Sequence, residues 1–176
     1  MASLFASRTS PERDRWDDAA AALGLTTSHR RSSRSMDGEL FGLYVEILEV
    51  ADSPLMLFVE YDAGDEVLPV FNIEVRANYL GDSQLRPVHT GDLTFEHQFA
   101  TLGRKQNRVL AYLDLERRDV LLQLYQELII KTVTQDSLRA TLELDDWEAV
   151  ELVDLVIPAV RTIERFYRPA GNALAA

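Results

Sequence analysis

The stretches LYVEIL at positions 43–48 and LMLFVEY at positions 55–61 decide the fold. In both, one set of alternate positions is wholly apolar, whereas the other set mixes aromatic, aliphatic and acidic side chains. A period of two with one apolar side is typical of half-buried strands in an antiparallel sheet. Residues 51–54 supply turn chemistry between the two strands.

Further strands are predicted on the C-terminal side. Residues 71–77 show the same alternation after a turn at 62–66. A fourth strand follows the turn Thr90-Gly91-Asp92, and a hairpin forms through the polar residues 135–137. These remaining predicted strands span 71–77, about 95–102, 129–134 and 138–144.

Apolar residues at intervals of three and four predict helices at 11–23, at about 106–126 and after Asp145 or Asp146. Ser10 and Pro11 start the first helix, because serine caps the first turn and proline fits its first position. With Asp145 as N-cap, Glu148 would complete a capping-box-like arrangement in the last helix. Pro158 should kink or divide that helix. Its expected buried stripe is Val150, Val153, Ile157, Val160, Ile163 and Tyr167.

Strands and helices are grouped instead of strictly alternating, which favours an α+β fold over a doubly wound α/β fold. We predict a single domain with a mostly antiparallel sheet, the element order α-β-β-β-β-α-β-β-α and the helices on one face. The domain is expected to span 10–168, between a flexible tail at 1–9 and a C-terminal tail at 169–176.

Charge is unevenly distributed along the 176 residues, whose net charge is −11. Residues 36–66 hold nine carboxylates and no lysine or arginine. Residues 26–36 are interpreted as a basic, solvated linker loop, with contact to a phosphate or an acidic partner as the alternative. The arginines of this segment are Arg30, Arg31 and Arg34. The acidic balance argues against a general nucleic-acid binder, because phosphate contacts need clustered basic residues.

The composition also bears on location. The absence of cysteine excludes thiol nucleophiles, thiolate metal sites and disulfides, and it fits a cytosolic protein. The first residues lack a basic region followed by a long apolar run, so no signal peptide is expected. The longest apolar-rich stretch, Leu152–Val160, is far short of the ~20 residues of a membrane span. We therefore expect a cytoplasmic protein without membrane contact.

Motifs that carry chemistry are scarce, since the sequence has no GxSxG, GxxxxGK[ST] or GxGxxG. The one dense cluster of metal-competent side chains is His89, Asp92, Glu96 and His97. Its histidines are eight positions apart, and in a strand Glu96 and His97 would point to opposite sides. The favoured interpretation is a structural turn of Gly91, Asp92 and Phe95, in which Asp92 caps backbone N–H groups. No catalytic residue, metal site or cofactor is therefore predicted.

The two central strands also predict a surface. If their wholly apolar positions face the core, the opposite face shows Tyr44, Glu46, Leu48, Met56, Phe58 and Glu60. Aromatic and aliphatic side chains interspersed with acids suit contact with a partner or a second subunit. The alternative is that another element of the same chain, such as the first helix, covers this face.

Two resemblances follow from these residues. A spaced pattern comprises Trp16, Ala20, Leu23–Leu25, Gly38, Gly42, Thr90–Asp92, Phe95, Glu96, Phe99, Gly103, Ala111–Leu113, Arg118, Leu121 and Leu122. It resembles a widespread group of uncharacterised bacterial proteins with a Gly-Asp-x-x-Phe turn, which implies no activity. The element order and acidic balance are also similar to those of type III secretion chaperones. That resemblance implies a non-enzymatic dimer that binds a partner segment on an exposed apolar face.

The leading hypothesis is therefore a non-enzymatic protein-binding or adaptor domain, chaperone-like and homodimeric, whose partner is another protein and a basic one by charge. An immunity protein that neutralises a basic toxin would be one form of it. Two alternatives stay open. One is a small metal-dependent or acid/base enzyme that uses the segment His89–His97, and the other is a structural subunit of a larger assembly.

Overall fold

The protein is described by a computed structural model that covers residues 11–51, 53–78, 84–144 and 146–169. The predicted tail at 1–9 lies outside the described residues, as does the predicted C-terminal tail apart from Pro169, which is buried. The predicted helix caps Ser10 and Asp145 also lie outside them.

Five α-helices and nine strands occur in the described part of the chain. The helices are α1 (Pro11–Leu23), α2 (Leu93–Gln98), α3 (Gln106–Tyr112), α4 (Leu115–Glu127) and α5 (Ala149–Tyr167), with a short 3₁₀ helix at Arg76–Asn78. The strands are β1 (Thr26–His29), β2 (Ser33–Leu40), β3 (Leu43–Val50), β4 (Leu55–Glu60), β5 (Phe71–Val75), β6 (Arg86–Pro87), β7 (Phe99–Gly103), β8 (Ile129–Thr134) and β9 (Ser137–Leu142).

All the described strands join one antiparallel sheet in the order β1-β2-β3-β4-β9-β8-β5-β7-β6. One face of this sheet and the five helices share a single core. Its largest fully buried side chains include Trp16 of α1, Phe95 of α2 and Phe166 of α5. The predicted α+β domain with a mostly antiparallel sheet and helices on one face is therefore confirmed.

The segment 26–36 is not the predicted linker loop. Residues 26–29 form β1, and β2 begins at Ser33 and pairs along its whole length with β3. This segment was missed because its side chains are polar: β1 lies at the sheet edge, where exposed positions dominate and no apolar alternation develops. Met36 is the fully buried residue of β2, and its single apolar signal is too weak to predict a strand.

The predicted strand at 95–102 is partly a helix. Residues 93–98 form α2, and β7 begins only at Phe99. Asp92 starts the helix, since its side chain accepts a hydrogen bond from the backbone N–H of Phe95 at 3.1 Å. His97 consequently lies on a helix and not on a strand, so its expected alignment with Phe95 and Phe99 along one strand is wrong.

The predicted helix at 106–126 is divided in two. The first part ends at Tyr112, and the second begins after Asp114, whose carboxylate accepts a hydrogen bond from the N–H of Arg117 at 2.9 Å. A capping aspartate competes with helix continuation, because its side chain satisfies the N–H groups that a preceding turn would otherwise bond. With β1 and β6 also added, the element order differs from the predicted one.

The last helix begins later than predicted and is not divided. Its N-cap is Glu148, which forms a capping box with Glu151, whose side chain accepts from the Glu148 N–H at 2.9 Å. Asp146 has a left-handed φ of 48°, so the chain turns there before the helix starts. The helix runs through Pro158 because buried apolar residues on both sides hold it against the core.

The buried stripe of α5 is also rotated from the predicted one. Val150 is 66% exposed, and Val153 and Ile157 are only partly buried. The observed buried set is Leu152, Val156, Ala159, Val160, Thr162, Ile163, Phe166 and Tyr167. Apolar residues occupy more than one side of this helix, so spacing alone could not fix which side faces the sheet.

Candidate functional site

The six residues predicted for the outer surface lie together on the sheet face opposite the helices. Antiparallel pairing of β3 with β4 places Tyr44 opposite Glu60, Glu46 opposite Phe58 and Leu48 opposite Met56. Directly opposite residues of an antiparallel pair point to the same face, so the three pairs form one continuous patch. We call these six residues the outer patch.

The helices leave the outer patch uncovered. Trp16 of α1 is fully buried, and α1 packs against α5 in the core that lies on the other face. The alternative that the first helix covers the outer face of the central strands is therefore wrong. Tyr44 is 46% exposed, and Leu48, Met56 and Phe58 are partly exposed.

The apolar part of the outer patch continues toward the middle of the sheet. Phe58 pairs with Arg139 of β9, and the guanidinium carbon of Arg139 lies 5.4 Å from the centre of the Phe58 ring. This is the distance of a cation–π contact, which leaves the charged group at the surface. Sequence reasoning missed Arg139, because strand order cannot be deduced from the spacing of one strand.

Acidic side chains surround Tyr44. Pairing of β2 with β3 places Asp37 opposite Glu46 and Glu39 opposite Tyr44, so two carboxylates join Glu46 and Glu60 on this face. The Tyr44 hydroxyl donates a hydrogen bond to Asp37 Oδ2 at 3.0 Å. Partial burial, this hydrogen bond and the neighbouring carboxylates raise the pKa of the Tyr44 phenol.

Asp37 and Glu39 were missed as members of this surface. Residues 33–40 of β2 show no apolar alternation that would have predicted a strand, and the register that brings β2 beside β3 depends on the turn between them. That turn has positive φ at both central residues, 53° at Phe41 and 74° at Gly42, as in a type I′ hairpin. Gly42, which adopts a positive φ without steric cost, was a usable signal for this hairpin.

The second predicted group is a turn that starts α2. Gly91 adopts a left-handed φ of 75°, Asp92 caps the helix and Phe95 is fully buried beneath it. Glu96 reaches back to accept hydrogen bonds from the Gly91 N–H at 2.9 Å and the Thr90 hydroxyl at 3.1 Å. Chiefly the hydrogen bond from Gly91 lowers the pKa of Glu96.

The histidines near this turn are on its periphery. His89 Nδ1 lies 3.6 Å from Glu96 Oε2, and the His89 side chain is mostly exposed. His97 lies exposed in the last turn of α2. The described residues contain no group of three or more His, Cys, Asp or Glu side chains placed to hold a metal ion. Likewise, no described helix is long and apolar enough to cross a membrane.

Comparison with known proteins gives a structural likeness. No family model matches the chain, and no curated protein matches its sequence. The fold is similar to that of the mycobacterial trehalose monomycolate transport factor A, TtfA, in its crystal structure. The sequences are 9% identical, the TM-score is 0.59, and the match covers 88% of this chain and 93% of the other. At this identity the likeness shows a shared fold and no shared activity.

Proposed function

We propose that this protein is a non-enzymatic binding module whose outer patch holds a basic segment of another protein. The observation that carries the proposal is an apolar strip bordered by carboxylates on a sheet face without helices. Interfaces of this kind combine partly exposed aromatic and aliphatic anchors with a charged rim. The description of TtfA as a transport factor is in keeping with a binding role for the fold, but its cargo is not carried over.

Charge distinguishes a basic partner from a second copy of the chain. This face carries four carboxylates, those of Asp37, Glu39, Glu46 and Glu60. The neighbouring β9 adds one positive charge, that of Arg139. Two copies joined through identical outer patches would bring these carboxylates together, and like charges across an interface cost several kcal/mol. A partner rich in lysine or arginine would instead be attracted. The homodimer predicted for this same surface is therefore the less favoured occupant, and the homodimer and the chaperone-like action both stay predictions.

The proposal is tested with matched variants as bait. Phe58→Asp places a charge in the apolar strip, and Leu115→Asp makes the same change at a residue of α4 that is 61% exposed on the helical side. Proteins captured from the host by the wild type and by Leu115→Asp, but not by Phe58→Asp, are candidate partners. The affinity of a purified candidate should fall at least about tenfold in Phe58→Asp and weaken with salt.

A second pair tests the charge. Glu46→Gln removes a carboxylate from the outer patch, and Asp119→Asn removes one from an exposed position of α4. We expect Glu46→Gln to slow association with the partner and Asp119→Asn to leave it unchanged, because nearby charge acts mainly on the association rate. Equal rates for both variants, or a partner that binds Phe58→Asp like the wild type, would contradict the proposal.

A further inference from the structure

The apolar strip extends beyond the outer patch. Val50 points to the same side of β3 as Leu48, because side chains two positions apart in a strand share a face, and it is 37% exposed. Phe58, which lies opposite Glu46, joins Tyr44 to the other apolar residues. From Tyr44 to Val50 the strip covers about 20 Å along β3 at roughly 3.3 Å per residue. It comprises Tyr44, Leu48 and Val50 of β3 and Met56 and Phe58 of β4.

The strands beneath the centre of this strip already have neighbours on both sides. Residues 44–48 of β3 pair with β2 and with β4, and residues 56–60 of β4 pair with β3 and with β9. A partner segment that lies on the strip therefore cannot join these strands as a further strand, and it meets side chains only. A backbone N–H or C=O group that loses water without gaining a partner costs free energy. An α-helix avoids that cost, because it bonds its own backbone groups.

The dimensions of the strip also fit a helix. Neighbouring strands are about 4.8 Å apart, so a helix with a diameter of about 10 Å covers two of them. At 1.5 Å per residue, a helix of about 13 residues has the 20 Å length of the strip. The opposite face of the same strands is covered in this way, since the buried residues of β3 and β4 share one core with α1 and α5. A helix on the strip would add a third layer to the sheet.

Charge differs between the two long sides of the strip. Asp37 and Glu39 lie on the side of β2, next to Glu46 and Tyr44. Arg139 of β9 lies on the other side, with its guanidinium carbon 5.4 Å from the centre of the Phe58 ring. Lysine or arginine residues of a bound helix would be attracted on the flank that faces β2 and repelled by Arg139 on the flank that faces β9.

We infer that the outer patch binds an amphipathic α-helix of the partner, about 13 residues long, with lysine or arginine along the flank that faces β2. This inference rests on the function proposed above and states the form of the basic segment. The apolar residues of the helix recur at intervals of three and four, so they all face the strip. Its basic residues form one flank of the same helix.

Fluorescence anisotropy of synthetic peptides with the full chain tests the inference. The first peptide has about 14 residues, with leucine at intervals of three and four, lysine on one flank and alanine elsewhere. The second replaces a central alanine by proline, which breaks the helix and keeps every leucine and lysine. We expect the first to bind at least about tenfold more tightly than the second, and to gain helical circular dichroism on binding. A third peptide with glutamate in place of lysine should also bind at least about tenfold more weakly.

Variants locate the peptide. Phe58→Asp and Val50→Asp should each weaken binding of the first peptide at least about tenfold, and Leu115→Asp on the helical side should leave it unchanged. If Phe58→Asp lowers the melting temperature, Phe58→Ser replaces it. Unchanged binding by Val50→Asp would contradict the length of the site.

The outcomes separate this inference from the proposed function. Equal affinity of the first and the proline peptide, with binding still lost in Phe58→Asp, would show an extended segment. That result overturns the helix and leaves the basic partner in place. Equal affinity of the first peptide for the wild type and for Phe58→Asp would reject the outer patch, and with it both proposals. If no peptide binds the wild type, the helix is rejected, and the proteins captured from the host decide the proposed function alone.

Discussion

The two faces of β4 differ in exposure, although both carry large apolar side chains. Leu57 is fully buried under the helices, whereas its neighbour Phe58 points to the other side and stays partly exposed. Both are large apolar residues in the same strand, so their own chemistry does not separate them. The helices do, because all five pack on the Leu57 side. One face therefore supplies stability, and the other is the face for which we propose binding.

The largest effect is expected when one side chain on each face of β4 is truncated to alanine. Leu57→Ala should cost about 2–5 kcal/mol in the free energy of unfolding, because it opens a cavity in a closed core. Phe58→Ala should cost about 1 kcal/mol or less, since it removes cross-strand contacts at a surface. Urea unfolding of both variants measures the difference. Equal costs would mean that the outer patch is covered, and the contrast between the faces would fail.

Among the described residues, the helical side buries one charged side chain, that of Arg117. Arg117 is buried, and its guanidinium donates to Phe166 O at 2.9 Å and to Tyr112 O at 3.0 Å, while it lies 4.1 Å from the centre of the Tyr112 ring. Arg117→Met should cost about 2–3 kcal/mol, because it leaves buried carbonyl groups without donors. Arg165→Met on the exposed side of α5 is the control and should change thermal stability little.

A smaller effect is expected at the cap of α2. Asp92→Ala should destabilise the protein by about 1 kcal/mol, because the Phe95 N–H loses its acceptor. Asp92→Ser should recover most of the loss, since serine is also a good N-cap. Thermal unfolding of the two variants makes the comparison. If serine does not rescue the alanine variant, the ion pair of Asp92 with Arg118 at 3.7 Å matters more than the cap.

The smallest expected effect is a pH dependence at Glu96. Its pKa is lowered from the ordinary value of 4.5 in the folded protein, so its charge contributes stability above that value. This contribution is lost as the pH falls through the lower, folded-state pKa. Chemical unfolding of the wild type and Glu96→Gln between about pH 6 and about pH 3 should show a weaker acid dependence in the variant. Parallel curves would show that the hydrogen bonds of Glu96 do not depend on its charge.

Strands could be predicted from the sequence where apolar residues alternate with other residues. They could not be predicted where the strand consists mainly of polar residues. The spacing of β3 and β4 predicted both strands and the residues of the outer patch. The polar β1 and the start of β2 gave no such signal, although they pair fully with their neighbours. The spacing of apolar residues likewise predicted one helix at 106–126, whereas the structure has two. The second helix starts after Asp114, whose capping hydrogen bond to the Arg117 N–H does not alter that spacing.

By itself, the sequence determined the fold class, the position of most elements and the alternation that gives the central strands two different faces. These follow from short-range periodicity, which acts within each element. The tertiary structure decided which face the helices cover, which carboxylates of β2 join Tyr44, and how Arg15 comes to contact Trp147. Those features join residues far apart in the chain, and only strand order, register and packing bring them together.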